Sequence, residues 1–156
     1  MNGNDTAGRS YEISDDPTRI DPARVHRWLS TDAYWALGRT REMQDRAMAG
    51  SLNFGAYDVA SGEQAAYARV VTDRASFAWI CDVYVDRAAR GHGLGTRLVT
   101  TVRDVLSPLG VRRFLLATRD AHGVYAKLGF TPLPDPDMWM ALQVGRGADA
   151  PGPPPS

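Results

Sequence analysis

Apolar positions along this chain change period repeatedly, and each change marks a boundary between elements. From residue 51 the period is 2: Leu52, Phe54 and Ala56 alternate with their neighbours, and Ala66, Ala68 and Val70 then do the same. Turn residues separate the runs, Ala60-Ser61-Gly62-Glu63 and then Asp73-Arg74-Ala75-Ser76. Residues 51–58, 64–72 and 77–85 therefore read as three strands of an antiparallel meander. After a short polar turn and three glycines the period becomes 3.6. Leu98, Val99, Val102, Val105, Leu106 and Leu109 fall on one face of a long helix, which Pro108 and Gly110 end.

Two helices precede the meander. Asp21 before Pro22 is an N-cap followed by proline at the first helical position, and predicts a helix to about residue 29 that buries Val25, Trp28 and Leu29. Ser30-Thr31-Asp32 breaks it. Thr40 caps a second helix, to about residue 49, burying Met43, Ala47 and Met48. Tyr11-Glu12-Ile13 alternates as a short edge strand. Beyond the long helix, residues 113–118 are almost continuously apolar and read as a buried strand, joined to the 77–85 strand by a right-handed parallel crossover. Asp120 or His122 opens a short helix through Val124, Tyr125 and Leu128, which Gly129 closes. A last β region starts at Phe130-Thr131, is interrupted by Pro132, Pro134 and Pro136, and resumes over residues 138–142. Residues 1–9 and the Gly-, Ala- and Pro-rich residues 145–156 read as disordered tails, which leaves one domain at 10–144.

Composition narrows the function class. With 18 Lys plus Arg against 18 Asp plus Glu, the chain has no basic field for nucleic acid or anionic lipid. Cys81 is the only cysteine, so an internal disulfide and a multi-thiolate zinc site are both excluded. No run approaches membrane-spanning length and the first residues lack the apolar core of a signal peptide, so a cytoplasmic location is expected.

The chemistry centres on Arg90-Gly91-His92-Gly93-Leu94-Gly95, between the 77–85 strand and the long helix. Free amides at a helix start carry partial positive charge, and glycines let an anion such as phosphate reach the backbone. The plain alternative is a helix entry that binds nothing. A P-loop does not fit, because Gly95-Thr96-Arg97 lacks its lysine. The dinucleotide fingerprint does not fit either, because the spacing is Gly-x-Gly-x-Gly after an antiparallel meander. Inside the preceding strand, Asp82 is a carboxylate among apolar residues, which is costly unless it is paired or functional. Cys81 reads as a small buried hydrophobe and His26 as structural.

Arg90-x-x-Gly93-x-Gly95, with Asp82-Val83-Tyr84-Val85 before it and Tyr125-Ala126-Lys127-Leu128-Gly129-Phe130 about 30 residues on, resembles the GNAT N-acetyltransferase superfamily. The resemblance covers roughly residues 50–142. It implies an α/β (α+β) fold: a mixed, mostly antiparallel central sheet with splayed middle strands and helices on both faces. It also implies acetyl-CoA as co-substrate, no metal, and transfer to a primary amine of a small molecule or peptide. The pyrophosphate would lie on the turn of Arg90, Gly91, His92, Gly93, Leu94, Gly95 and Thr96. The pantetheine arm would lie along Val83, Tyr84 and Val85 of a bulged strand.

Tyr125 matches the family's general acid, its other reading being a packed aromatic. Asp82 is the candidate base, or equally an ion-pair partner or an anchor for the ammonium with water as base; many relatives carry a glutamate where this chain has Cys81. Tyr34, Trp35 and Arg39 would wall the acceptor site, and His122 would tune Tyr125 or cap its helix. Asp32, Glu42, Asp45 and Asp82 are carboxylates able to welcome a cationic amine. A non-catalytic acyl-CoA-binding module is the rival reading. The oligomeric state is open, a homodimer included.

Overall fold

A computed structural model of the chain describes residues 9–145. The two tails expected to be disordered fall outside the described residues, except for Arg9 and Gly145. Among the described residues five strands make one sheet in chain order: β1 (Tyr11–Ser14), β2 (Leu52–Asp58), β3 (Gln64–Thr72), β4 (Ala78–Val85) and β5 (Phe114–Leu115). The first four are antiparallel neighbours and β5 runs parallel to β4. Among the described residues four α-helices complete the fold: α1 (Pro22–Asp32), α2 (Arg41–Ala49), α3 (Leu94–Leu106) and α4 (His122–Ala126).

Each face of the sheet has its own core. On one face α3 lays Leu94, Leu98, Val99, Val102 and Leu106 against Phe54, Ala66, Ala68, Val70 and Ile80. On the other, Val25, Trp28 and Leu29 of α1 pack on Tyr67 and Tyr84. The caps read from the sequence are present: Asp21 accepts from the Arg24 amide at 3.1 Å and Thr40 from the Met43 amide at 3.2 Å.

In β4 the two faces exchange. Tyr67 pairs with Tyr84 and Arg69 with Cys81, so Ala68 alone stands opposite both Asp82 and Val83, which is a β-bulge. Asp82 takes a positive φ of 50° to make it. Ala78 and Ile80 face the α3 core, and without the extra residue Asp82 and Tyr84 would follow them there. Instead Val83 and Val85 continue the α3 side, while Tyr84 packs with α1.

Four expectations need correction. Helix α1 runs through Ser30-Thr31 to Asp32, because the Thr31 hydroxyl donates back to the Arg27 carbonyl at 2.6 Å and the Ala33 amide closes on Leu29. Helix α2 fully buries Gln44, whereas Met43, Ala47 and Met48 are half-buried. The strand predicted over 113–118 is only Phe114–Leu115, and it is half-buried. The β region predicted from Phe130 to residue 142 contains no strand, and Met138, Met140 and Leu142 are exposed.

Candidate active site

The glycine turn positions a set of backbone donors. Gly91 and Gly93 have φ of 88° and 73°, and open space lies where a Cβ would project from either. These left-handed backbones favour glycine and bring the chain into α3 with Gly93 as N-cap. No side chain caps this end, and the first helical bond runs from the Arg97 amide to the Gly93 carbonyl at 3.0 Å. The amides of Leu94, Gly95 and Thr96 consequently have no acceptor within the helix. They open on a cavity of about 200 Å³ that also touches Val85, Arg90 and, across the gap, Val124 of α4. Donors without acceptors, glycines without side chains and the positive end of a 13-residue helix suit a phosphate group.

The cavity sits where the sheet divides. Strand β4 pairs with β5 only through Ala78–Phe114 and Trp79–Leu115. From Ile80 to Val85 no strand of the described residues lies on its β5 side, so the main chain at Val83, Tyr84 and Val85 borders a wedge. The side chain of Tyr84 points the other way, stacking on Trp28 at 5.5 Å and donating its hydroxyl proton to Asp32 at 2.6 Å. Only its backbone is available to a ligand in the wedge.

Arg90 belongs more to the scaffold than to the cradle. Its Nε donates to the Val85 carbonyl at 3.0 Å, its Nη2 lies 3.3 Å from Asp32, and its guanidinium stands 5.3 Å from the Tyr84 ring centre. Asp32 also pairs with Arg87, and the bonds from Arg87 and then Tyr84 hold its carboxyl well below the usual carboxylate range. His92 stacks 6.3 Å from the Tyr11 ring. Asp32 is thus committed within the chain, as is Asp45, which bonds Arg41 at 2.9 Å. The carboxylates expected to welcome a cation do not form a common site.

Asp82 is 3% exposed and accepts three donors. Its Oδ2 meets Arg39 Nη1 at 2.8 Å and Arg69 Nε at 2.7 Å, and its Oδ1 takes the Trp35 indole proton at 2.7 Å. Burial pushes its pKa up, but the charge of Arg69 and the bond and charge of Arg39 outweigh this and the carboxyl ends below its ordinary value. This is the geometry of the ion pair, one of the readings the sequence left open for Asp82, and a carboxyl held below its ordinary value is a weak proton acceptor near neutrality. Arg39 is likewise 6% exposed and turned inward toward Asp82. Arg39 also donates to buried Gln44 at 2.9 Å, and Arg69 to Ser51 at 3.1 Å. Burial raises the Cys81 thiol to about 11, which keeps it protonated at neutral pH.

Trp35 leads from this cluster back to the wedge. Its ring meets Tyr34 edge-on at 5.0 Å. The Tyr34 hydroxyl accepts the Arg119 amide proton at 3.0 Å, and the Arg119 guanidinium lies 3.7 Å over the Tyr34 ring. The α1–α2 connection is thereby clasped to the segment leading into α4. Tyr125 on α4 is half-buried, edge-on to Phe130 at 5.8 Å. Burial, then Tyr34 and Asp120, raise its pKa, so the hydroxyl carries its proton at neutral pH. His122 is exposed at the start of α4. Sequence reading missed Arg69, Gln44 and Arg119. Arg69 was detectable as the one charge in a run of small apolar residues, while nothing local marks Arg119.

Among the described residues no helix is long and apolar enough to cross a membrane. No curated protein matches the chain. Among solved structures, a GNAT-family protein from Xanthomonas campestris pv. campestris is 40% identical with a TM-score of 0.80, over 86% of this chain and 93% of that one. Two more distant structures share the fold. Glucosamine-6-phosphate N-acetyltransferase from Arabidopsis thaliana is 18% identical with a TM-score of 0.58, over 88% of this chain and 98% of that one. The protein Rv2747 from Mycobacterium tuberculosis, determined in complex with CoA, is 20% identical with a TM-score of 0.65, over 79% and 73%. The sequence profile of the Acetyltransferase (GNAT) family matches residues 22–130, a span that takes in the glycine turn, the bulged strand and Tyr125, and the chain belongs to that family.

Proposed function

We propose that this protein is an N-acetyltransferase that moves the acetyl group of acetyl-CoA to a primary amine of a small molecule or peptide. The observation that carries the reading is an uncapped 13-residue helix whose first amides open on a cavity where β4 parts from β5. The pyrophosphate of the co-substrate rests on the amides of Leu94, Gly95 and Thr96, with Gly91 and Gly93 leaving room for it. The pantetheine arm lies in the wedge along Val83, Tyr84 and Val85, taking the place of the missing strand.

The amine attacks the thioester carbonyl carbon, forming a C–N bond and a tetrahedral oxyanion. A β4 amide near Val83 donates to that oxygen. Collapse breaks the C–S bond, and the Tyr125 hydroxyl gives its proton to the departing thiolate. The nitrogen, cationic after the attack, gives up its second proton to solvent as the intermediate collapses to the amide, and the tyrosine recovers a proton from solvent. Its raised pKa suits a donor that must stay protonated until the bond breaks. An alkyl ammonium ordinarily titrates near ~10.4, so the acceptor must lose a proton before it attacks. That proton passes to water, since the carboxylate of Asp82 is already shared by two arginines.

Calorimetry with CoA, followed by a thiol-release assay over a panel of amines, tests the reading. CoA binding and thiol release that depends on one class of amine are expected. Binding without acceptor-dependent release would make the protein a non-catalytic acyl-CoA-binding module. No binding would overturn the proposal.

A further inference from the structure

Tyr34 and Trp35 link the two groups between which the acetyl carbon must lie. Trp35 bonds Asp82 at the bulge, one residue before Val83, whose neighbourhood is assigned to the oxyanion. Tyr34 meets Trp35 edge-on and stands near enough to Tyr125 for its charge to bear on that hydroxyl. An amine that attacks the thioester therefore arrives beside this ring pair, and Tyr34 is 37% exposed.

What lies over Tyr34 is a cation. The Arg119 guanidinium sits 3.7 Å above the ring, and the Arg119 amide donates to the Tyr34 hydroxyl at 3.0 Å, so one tyrosine holds both ends of the residue. A guanidinium laid flat on a ring still presents its N–H edge, which matches the paired oxygens of a carboxylate or phosphate. Held in this way, it has little side-chain freedom left to lose on binding. Arg39, Arg69, Arg87 and Arg90 are each paired with a carboxylate of the chain. Arg119 is exposed, and no carboxylate of the described residues forms an ion pair with it.

Negative charge at this place is meagre by comparison. Asp32, Asp45 and Asp82 are held by arginines. The carboxylate that bears on Tyr125 is that of Asp120, next to Arg119 in the chain. It can draw one ammonium toward the acid. A second positive charge on the same molecule meets Arg119 and is repelled, whereas an anionic group is attracted.

We propose, resting on the acetyltransferase reading above, that the acceptor is an amine carrying a carboxylate or phosphate a few atoms from its nitrogen, and that Arg119, laid on Tyr34, grips that anion while the amine reaches the thioester. Arg119 is then the residue that sets acceptor specificity.

Thiol release from acetyl-CoA tests this with panels of amino acids, of aminoalkyl phosphates, of uncharged amines and of polyamines. The highest kcat/KM is expected in one of the first two panels, and which of them it is tells carboxylate from phosphate. Arg119→Gln should cut the preference for that acceptor over an uncharged amine by about tenfold or more, acting through KM. Arg119→Glu should turn the preference toward the polyamines, which a merely structural arginine would not do. Calorimetry with CoA, expected to give the parent's affinity for both variants, shows that they are folded. A best acceptor that is uncharged or polycationic, or a preference that both substitutions leave intact, overturns the proposal while the acetyltransferase reading stands. Failure of the unaltered protein to bind CoA, or to release thiol with any panel, brings down that reading and this proposal with it.

Discussion

The indole Nε1 of Trp35 donates to Asp82 Oδ1 at 2.7 Å, joining the α1–α2 connection to the bulge of β4. The bond exists because one inserted residue in β4 turns Asp82 from the α3 core to the α1 and α2 side. There it meets Arg39 from the connection and Arg69 from β3. One carboxylate thus ties together three parts of the chain. Through Tyr34 and Arg119 the linkage reaches the segment that carries Tyr125.

Replacing Asp82 by asparagine separates structure from proton transfer. Removing one partner from a buried ion pair costs about 3–5 kcal/mol, because the charges left behind stay desolvated. Asp82→Asn should therefore lower the melting temperature sharply while the pH profile of kcat/KM keeps its shape. A moved alkaline limb in a variant as stable as the parent would return Asp82 to the role of base. The pH dependence of stability follows from the lowered pKa. The contribution of Asp82 is fully present above the unfolded carboxyl value of ~3.9 and is lost as pH falls through the folded value. Denaturation curves taken from pH 6 down to pH 2 should show the parent losing this stability and Asp82→Asn, which has none to lose, falling less.

The contrast between Asp82 and α3 shows what local pattern can carry. Helix α3, the meander and the caps at Asp21 and Thr40 are set by residues adjacent in sequence, and all were legible. The facing of Asp82 depends on Ala68 standing opposite two residues, a count made across strands that no single stretch contains. Gln44 was missed although its partner Arg39 is close in sequence, because what draws Arg39 inward is Asp82 on a distant strand. Helix α1 overran its predicted end through the bond from Thr31 back to Arg27, and its last residue, Asp32, is then held by Tyr84, Arg87 and Arg90, all distant in sequence.

Trp35→Phe removes the indole proton and keeps an aromatic ring. A hydrogen bond to a charged group contributes about 1.5–3 kcal/mol, so stability should fall by an amount in that range. Because Trp35 packs on Tyr34, the clasp with Arg119 should loosen with it. The expected kinetic signature is a raised KM for the amine with the dissociation constant for CoA unchanged. An unaltered KM for the amine would leave Trp35 with a purely structural role.

Tyr125→Phe tests the acid. General acid catalysis contributes about 10²–10⁴-fold, so kcat should drop by at least about a hundredfold. Affinity for CoA, read by calorimetry, should be close to that of the parent, because the cradle proposed for the phosphates lies in the glycine turn and not at Tyr125. The edge-on contact with Phe130 is retained by phenylalanine, so the fold should hold. Turnover within about twofold of the parent would assign Tyr125 to packing alone.

Two glycines of the turn should respond differently to the same methyl group. At Gly93 the backbone has φ of 73°, where alanine is strained, so Gly93→Ala should destabilise the protein by about 1 kcal/mol and weaken CoA binding by distorting the helix start. Gly95 is helical, and a Cβ there would meet only Val85 Cγ2 at 3.9 Å. Its replacement by alanine should leave stability level or raise it, by up to about 0.5–1 kcal/mol of helix preference. The added methyl lies at the cavity, however, close to the amides assigned to the pyrophosphate. Gly95→Ala should therefore combine unimpaired stability with at least about tenfold weaker CoA binding. Equal CoA affinity in parent and Gly95→Ala would remove the first turn of α3 from the binding site.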